Sequence, residues 1–156
     1  MNMSRRSFLG CAGAAALAPA ALASAAERFE VTRTPEQWRR LLGPARYAVL
    51  REGKTERAGT SPLNREKRRG TYACGACSLP LYKSDTKFES GTGWPSFRAP
   101  IANAVRTRQE GRLLWARTEV HCRRCGGHLG HVFDDGPKPT GKRYCMNGAA
   151  LRFVAG

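Results

Sequence analysis

Apolar and polar positions follow different rhythms in different parts of the chain. From Gly10 to Ala26 no charged residue occurs, and alanine dominates. From Thr34 the spacing becomes helical, with Trp38, Leu41 and Leu42 falling on one face. Thr34 can cap this helix, Pro35 suits its first position, and Gln37 completes a capping box. Gly43-Pro44 predicts the stop. Residues from about 51 to 70 are polar and punctuated by glycine and proline, which predicts mostly loop. Beyond them the pattern is β-rich. Arg112 to Val120 reads as a strand, and residues 134–141 as a turn-dense loop. Arg143 to Phe153 reads as a strand, a turn at Asn147-Gly148, and a second strand. The expectation is a mainly β chain with a short N-terminal helix.

The length of 156 residues suits one folded unit, large enough to bury a real core. Charge changes the picture through its sign: 27 basic residues face 12 acidic ones. Such a surface attracts acidic partners in general. The basic residues are scattered, however. The one dense run, Arg65-Glu66-Lys67-Arg68-Arg69, has no interleaved aromatic on which a base could stack. A solvated basic surface is therefore expected, not a nucleic-acid site.

The alanine-rich start has a separate explanation. Ser4-Arg5-Arg6-Ser7-Phe8-Leu9 precedes the uncharged run, and Ala23-Ser24-Ala25 or Ala21-Leu22-Ala23 offers small residues for cleavage. A basic start, an apolar middle and a small-residue end describe an export signal. The paired arginines resemble the twin-arginine type. Residues 1–26 are thus expected to be a signal, and 27–156 the working domain in the periplasm or another extracytoplasmic space. A retained anchor is the competing reading. Against it, the run is mostly alanine and glycine with Pro19 inside, so stable membrane association is not expected. Removing the signal leaves 25 basic residues against 12 acidic, and five cysteines.

Four of those five form two CxxC units, Cys74/Cys77 and Cys122/Cys125, with 44 residues between Cys77 and Cys122. Two intervening residues let both sulfurs of a tight turn face one ion. Two such knuckles supply four tetrahedral thiolates, which suits structural Zn2+. Disulfides or a redox CxxC explain the doubling less well.

Cys145 is then the thiol left over. If Arg143 to Asn147 is a strand, Arg143, Cys145 and Asn147 share a face, because side chains alternate with period two. A nearby cation lowers a thiol's pKa from about 8.5 into the range of roughly 3.5–7.5 and generates the nucleophilic thiolate. His128 and His131 supply imidazoles that titrate near neutrality, so either can deliver a proton. His121, beside a metal ligand, reads as structural.

Three motifs now stand in order: Gly91-Thr92-Gly93-Trp94-Pro95-Ser96-Phe97, Cys122 through Pro137, and Thr140 through Asn147. Together they resemble the signatures of the B-type methionine sulfoxide reductases, over about Pro35 to Phe153. The resemblance implies coiled antiparallel β-sheets in a sandwich-like arrangement, with a four-cysteine zinc site away from the chemistry. It implies reduction of the R epimer of methionine sulfoxide, in proteins or free, as a repair of oxidised protein. Cys145 would be the nucleophile. His131 would protonate the sulfoxide oxygen with help from His128, and Arg143 and Asn147 would hold the thiolate and its neighbours. Trp94 would pack on the substrate's S-methyl group, with Phe133 and Asp135 completing the substrate site.

One position departs from the pattern. Many members of that family carry a second cysteine where this chain has Thr92. The chain is therefore expected to act, as a monomer, with an external reductant: a thioredoxin-like or glutaredoxin-like protein, or a small thiol. A zinc-knuckle binding module without catalysis is the rival reading, and it gives Trp94 and Cys145 no role.

Overall fold

The computed structural model describes residues 27–111 and 116–156. The predicted signal, and residues 112–115 of the predicted strand, lie outside them. Helix α1 runs Pro35–Glu52, with the capping box at Thr34 and Gln37 formed as expected. Gly43 leaves helical geometry at φ 68 and ψ 172, so the predicted stop is a break. The helix then resumes, because Pro44 suits a first helical position, and it ends where Gly53 turns left-handed. Trp38, Leu42, Val49 and Leu50 are buried, whereas Leu41 is 55% exposed. The buried stripe follows the four-residue step from Trp38 to Leu42, and Leu41 falls on its flank.

Among the described residues nine strands follow: β1 (Gly70–Cys74), β2 (Pro80–Lys83), β3 (Lys87–Phe88), β4 (Ser96–Phe97), β5 (Val105–Glu110), β6 (Arg117–Cys122), β7 (His128–Phe133), β8 (Arg143–Met146) and β9 (Leu151–Ala155). They form two antiparallel sheets, one ordered β2-β1-β9 and the other β3-β4-β8-β7-β6-β5. The mainly β, two-sheet expectation holds. The predicted strand-turn-strand at Arg143–Phe153 also exists, but its strands do not pair: the 3-10 turn Gly148–Ala150 sends β8 into one sheet and β9 into the other.

The sheets meet across aromatic rings. Tyr82 stacks on Phe97 at 4.3 Å between centroids, and Tyr72 meets the same ring edge-on at 4.9 Å. Each contact adds roughly 0.5–1.5 kcal/mol beyond burial. Burying each side chain contributes more, about 1.5–3 kcal/mol. The core therefore rests mainly on removing these rings from water, and ring geometry refines their arrangement.

The register of the larger sheet does most to build the site. Ser96 pairs with Cys145, Cys145 with His131, His131 with Glu119, and Glu119 with Arg108. Directly opposed residues in antiparallel strands project to the same side. Five strands thus line up Ser96, Cys145, His131, Glu119 and Arg108 in one row across the sheet.

Candidate active site and metal centre

Cys145 opens into a cleft of about 120 Å³ lined by Thr55, Trp94, Arg117, Gly130, His131, Phe133, Cys145 and Asn147. Liquid water occupies about 30 Å³ per molecule, so this space suits a group of a few heavy atoms. A methyl sulfoxide is of that size. A larger groove of about 560 Å³ runs beside Ser61, Leu63 and Phe153 and contains neither thiol nor imidazole.

The close approach of β8 to β7 depends on Gly130. A side chain there would put its Cβ 2.1 Å from the Cys145 carbonyl oxygen, so only glycine lets the two strands pair at Cys145. Thr92 Oγ1 lies 3.8 Å from Cys145 Sγ. Its hydroxyl also meets Ser90 Oγ at 2.8 Å, and Ser90 meets Ser96 Oγ at 2.7 Å.

His131 is half-buried, with Nε2 3.3 Å from Glu110 Oε2. Burial lowers its pKa below the usual imidazole value, and Glu110 opposes that shift without cancelling it. His128 does not line the cleft. It is buried against His131, with 5.4 Å between ring centroids, and its Nδ1 is 2.7 Å from Glu119 Oε1.

Glu119 is a carboxylate only 1% exposed, and no motif marks it in the sequence. Besides His128 it faces His121 Nδ1 at 3.5 Å and pairs with Arg108. Burial pushes its pKa up, but the facing His121 imidazole, the hydrogen bond to His128 and the charge of Arg108 outweigh that and hold it well below the ordinary carboxylate range. His121 also meets Glu27 at 3.1 Å. A glutamate between the apolar positions of a strand was the signal available in sequence.

Arg143 turns toward Asp135, with two hydrogen bonds of 2.9 and 2.8 Å, and lies over the Phe133 ring at 4.4 Å. Asp135 raises its pKa most, and Cys145 contributes less. Arg143 and Asp135 therefore border the cleft through Phe133. Asn147, 3% exposed, accepts from the Glu56 N–H at 3.0 Å and donates to the Leu129 carbonyl at 3.2 Å. Thr55, Arg117 and Glu110 join the site from segments with no motif of their own.

The four knuckle cysteines converge elsewhere. All their sulfurs lie within 4.8 Å of one another, with Cys74 and Cys125 at 3.8 Å and Cys77 and Cys122 at 3.5 Å. Metal–sulfur bonds of about 2.3 Å in a tetrahedron give sulfur–sulfur edges of about 3.8 Å, whereas a disulfide requires about 2.05 Å. Four sulfurs this close repel once ionised unless a cation sits among them. The set fits a metal ion. Cys74 ends β1 and Cys122 ends β6, so the cluster ties one sheet to the other.

A SelR domain matches residues 42–155. The peptide methionine sulfoxide reductase MsrB of Leptospira interrogans is 49% identical over 126 residues, covering 80% of this chain and 96% of that protein. MsrB of Pseudomonas putida is 52% identical over 126 residues, covering 80% and 94%. MsrB of Methanosarcina barkeri is 51% identical over 124 residues, covering 79% and 87%.

Proposed function

The chain belongs to the SelR-domain family of peptide-methionine (R)-S-oxide reductases, and on that premise we propose that it works by a one-cysteine cycle. The observation carrying this reading is the hydroxyl of Thr92 beside Cys145, at 3.8 Å, where a disulfide partner would have to stand. The other described cysteines belong to the metal cluster.

In the first half-reaction the Cys145 thiolate attacks the sulfoxide sulfur of an oxidised methionine, in a protein or free. His131 passes a proton to the sulfoxide oxygen, with His128 behind it. Two electrons move from the Cys145 sulfur to the substrate sulfur. The products are methionine and a sulfenic acid on Cys145 that carries the oxygen. Trp94 and Phe133 enclose the substrate methyl group. Asp135 fixes Arg143 over Phe133, and Asn147 sets the end of β8. In the second half-reaction an external thiol attacks the sulfenic sulfur and water leaves. A second thiol then breaks the mixed disulfide, restoring Cys145 and releasing the donor as its disulfide. A thioredoxin-like or glutaredoxin-like protein, or a small thiol, fits this role.

Cys74, Cys77, Cys122 and Cys125 hold Zn2+ in this reading. The ion supplies folding free energy and takes no part in the reaction. Repair of oxidised proteins outside the cytoplasm follows from the signal-like residues 1–26. A binding module without catalysis is not favoured, because Cys145, His131 and Trp94 share one cleft.

Turnover of R- and S-sulfoxide peptides by wild type and Cys145→Ser tests the activity. R-specific turnover that disappears in the variant is expected, and surviving activity refutes the nucleophile. Mass spectrometry after one turnover without reductant tests the cycle. It should find one added oxygen on Cys145, and an intramolecular disulfide to Cys145 would refute it.

A further inference from the structure

Glu56 lies in a polar stretch that carries no motif, yet it makes four hydrogen bonds around the cleft. Its backbone N–H donates to Asn147 Oδ1 at 3.0 Å, and its backbone carbonyl accepts the Trp94 indole N–H at 3.1 Å. Its carboxylate accepts from the N–H groups of Gly148 and Ala149 at 2.6 and 2.8 Å. One residue therefore joins two lining residues of the cleft, Trp94 and Asn147, with Thr55 beside it in the lining.

The side chain accounts for the placement of the backbone. The carboxylate fastens residue 56 to the start of the turn that follows Asn147, a pair of charge-assisted bonds. Gly148 permits this approach: a Cβ there would meet Ser61 Oγ at 1.9 Å and Glu56 Oε1 at 3.2 Å. With residue 56 so fixed, its N–H and carbonyl point one way to Asn147 and the other way to Trp94.

We propose that Glu56 is a positioning residue that sets the spacing of Trp94 from Asn147, and through it the fit of the methyl sulfoxide group. This rests on the reductase reading above. Glu56 touches no reacting atom, so its removal should weaken substrate binding more than the chemical step.

The test compares zinc-loaded wild type, Glu56→Ala and Glu56→Gln, using a peptide methionine R-sulfoxide with excess dithiothreitol. Glu56→Ala should raise KM roughly tenfold, the low end of what bonds to a charged group are worth, with kcat changed less than about threefold. Glu56→Gln keeps one acceptor oxygen and should recover part of the loss. Trp94 emission, isolated by subtracting the matching Trp94→Phe protein, should shift to the red in Glu56→Ala as the indole N–H turns to water. If Glu56→Ala does not fold, Glu56→Gln carries the test. Its effect on KM should then shrink in a Trp94→Phe background, because the two residues act through one contact. A variant with lowered melting temperature but unchanged KM and Trp94 emission overturns the proposal, as do fully additive effects. Active wild type together with inactive Cys145→Ser keeps the reductase reading intact in either case.

Discussion

Substituting Thr92→Cys should convert the proposed one-cysteine cycle into one that closes internally. Thr92 Oγ1 stands 3.8 Å from Cys145 Sγ, whereas a disulfide needs about 2.05 Å. The gap to close is therefore about 1.8 Å, and the flanking Gly91 and Gly93, at φ 74 and 90, leave this segment free of β-strand geometry. One thiol confined within a sphere whose radius is the present 3.8 Å separation, about 230 Å³, is a local concentration of several molar. It should outcompete a millimolar external thiol by roughly a thousandfold. The lost hydroxyl contact to Ser90, 2.8 Å long, costs about 1 kcal/mol. That is small against a domain stability of about 5–15 kcal/mol, so the variant should fold. The assay is one turnover with a single equivalent of methionine R-sulfoxide and no reductant, followed by thiol titration and peptide mapping. Wild type should lose one titratable thiol and gain one oxygen. The variant should lose two thiols and yield a peptide bridging position 92 to Cys145. A variant that stops at the sulfenic acid, with zinc intact, would refute the claim that position 92 faces the nucleophile within reach of its sulfur.

Other outcomes follow from the same geometry. Cys125→Ser should abolish metal binding and leave a poorly folded chain, since a structural zinc contributes roughly 10–16 kcal/mol; metal analysis with circular dichroism decides, and a well-folded variant counts against the structural role. Glu119→Gln should cost about 1–3 kcal/mol, because it leaves the buried His121 and His128 imidazoles without their carboxylate and the exposed Arg108 without its partner. The Glu119 pKa is depressed in the fold, so its stabilisation is complete above the ordinary carboxylate pKa and is lost as pH falls through the lower folded value. Melting temperature against pH should lose that acid limb in the variant. Burial also lowers the pKa of His131, so imidazolium forms only below the usual histidine range. The single-turnover rate should then have a limb that rises as pH falls below about 6.5, and this limb should be missing in His131→Gln.

What the sequence determined is local. The CxxC pairs identify their chemistry by spacing, because two intervening residues already bring two sulfurs to one turn. The capping box at Thr34 and Gln37 formed as expected, because both partners lie within one helical turn. Cys145 was singled out by counting and placed near Asn147 by the period of a strand. Tertiary structure decided everything that depends on which strands meet. Nothing within a strand fixes its register against a distant one, so the row Ser96, Cys145, His131, Glu119 and Arg108 became visible only once five strands had paired. For the same reason the turn after Asn147 read as local, although it sends its two strands into different sheets. Glu119 and Glu56 were passed over because a carboxylate's part is set by what folds against it. One is buried among two imidazoles and an arginine, and the other is clamped to the backbone of Gly148 and Ala149.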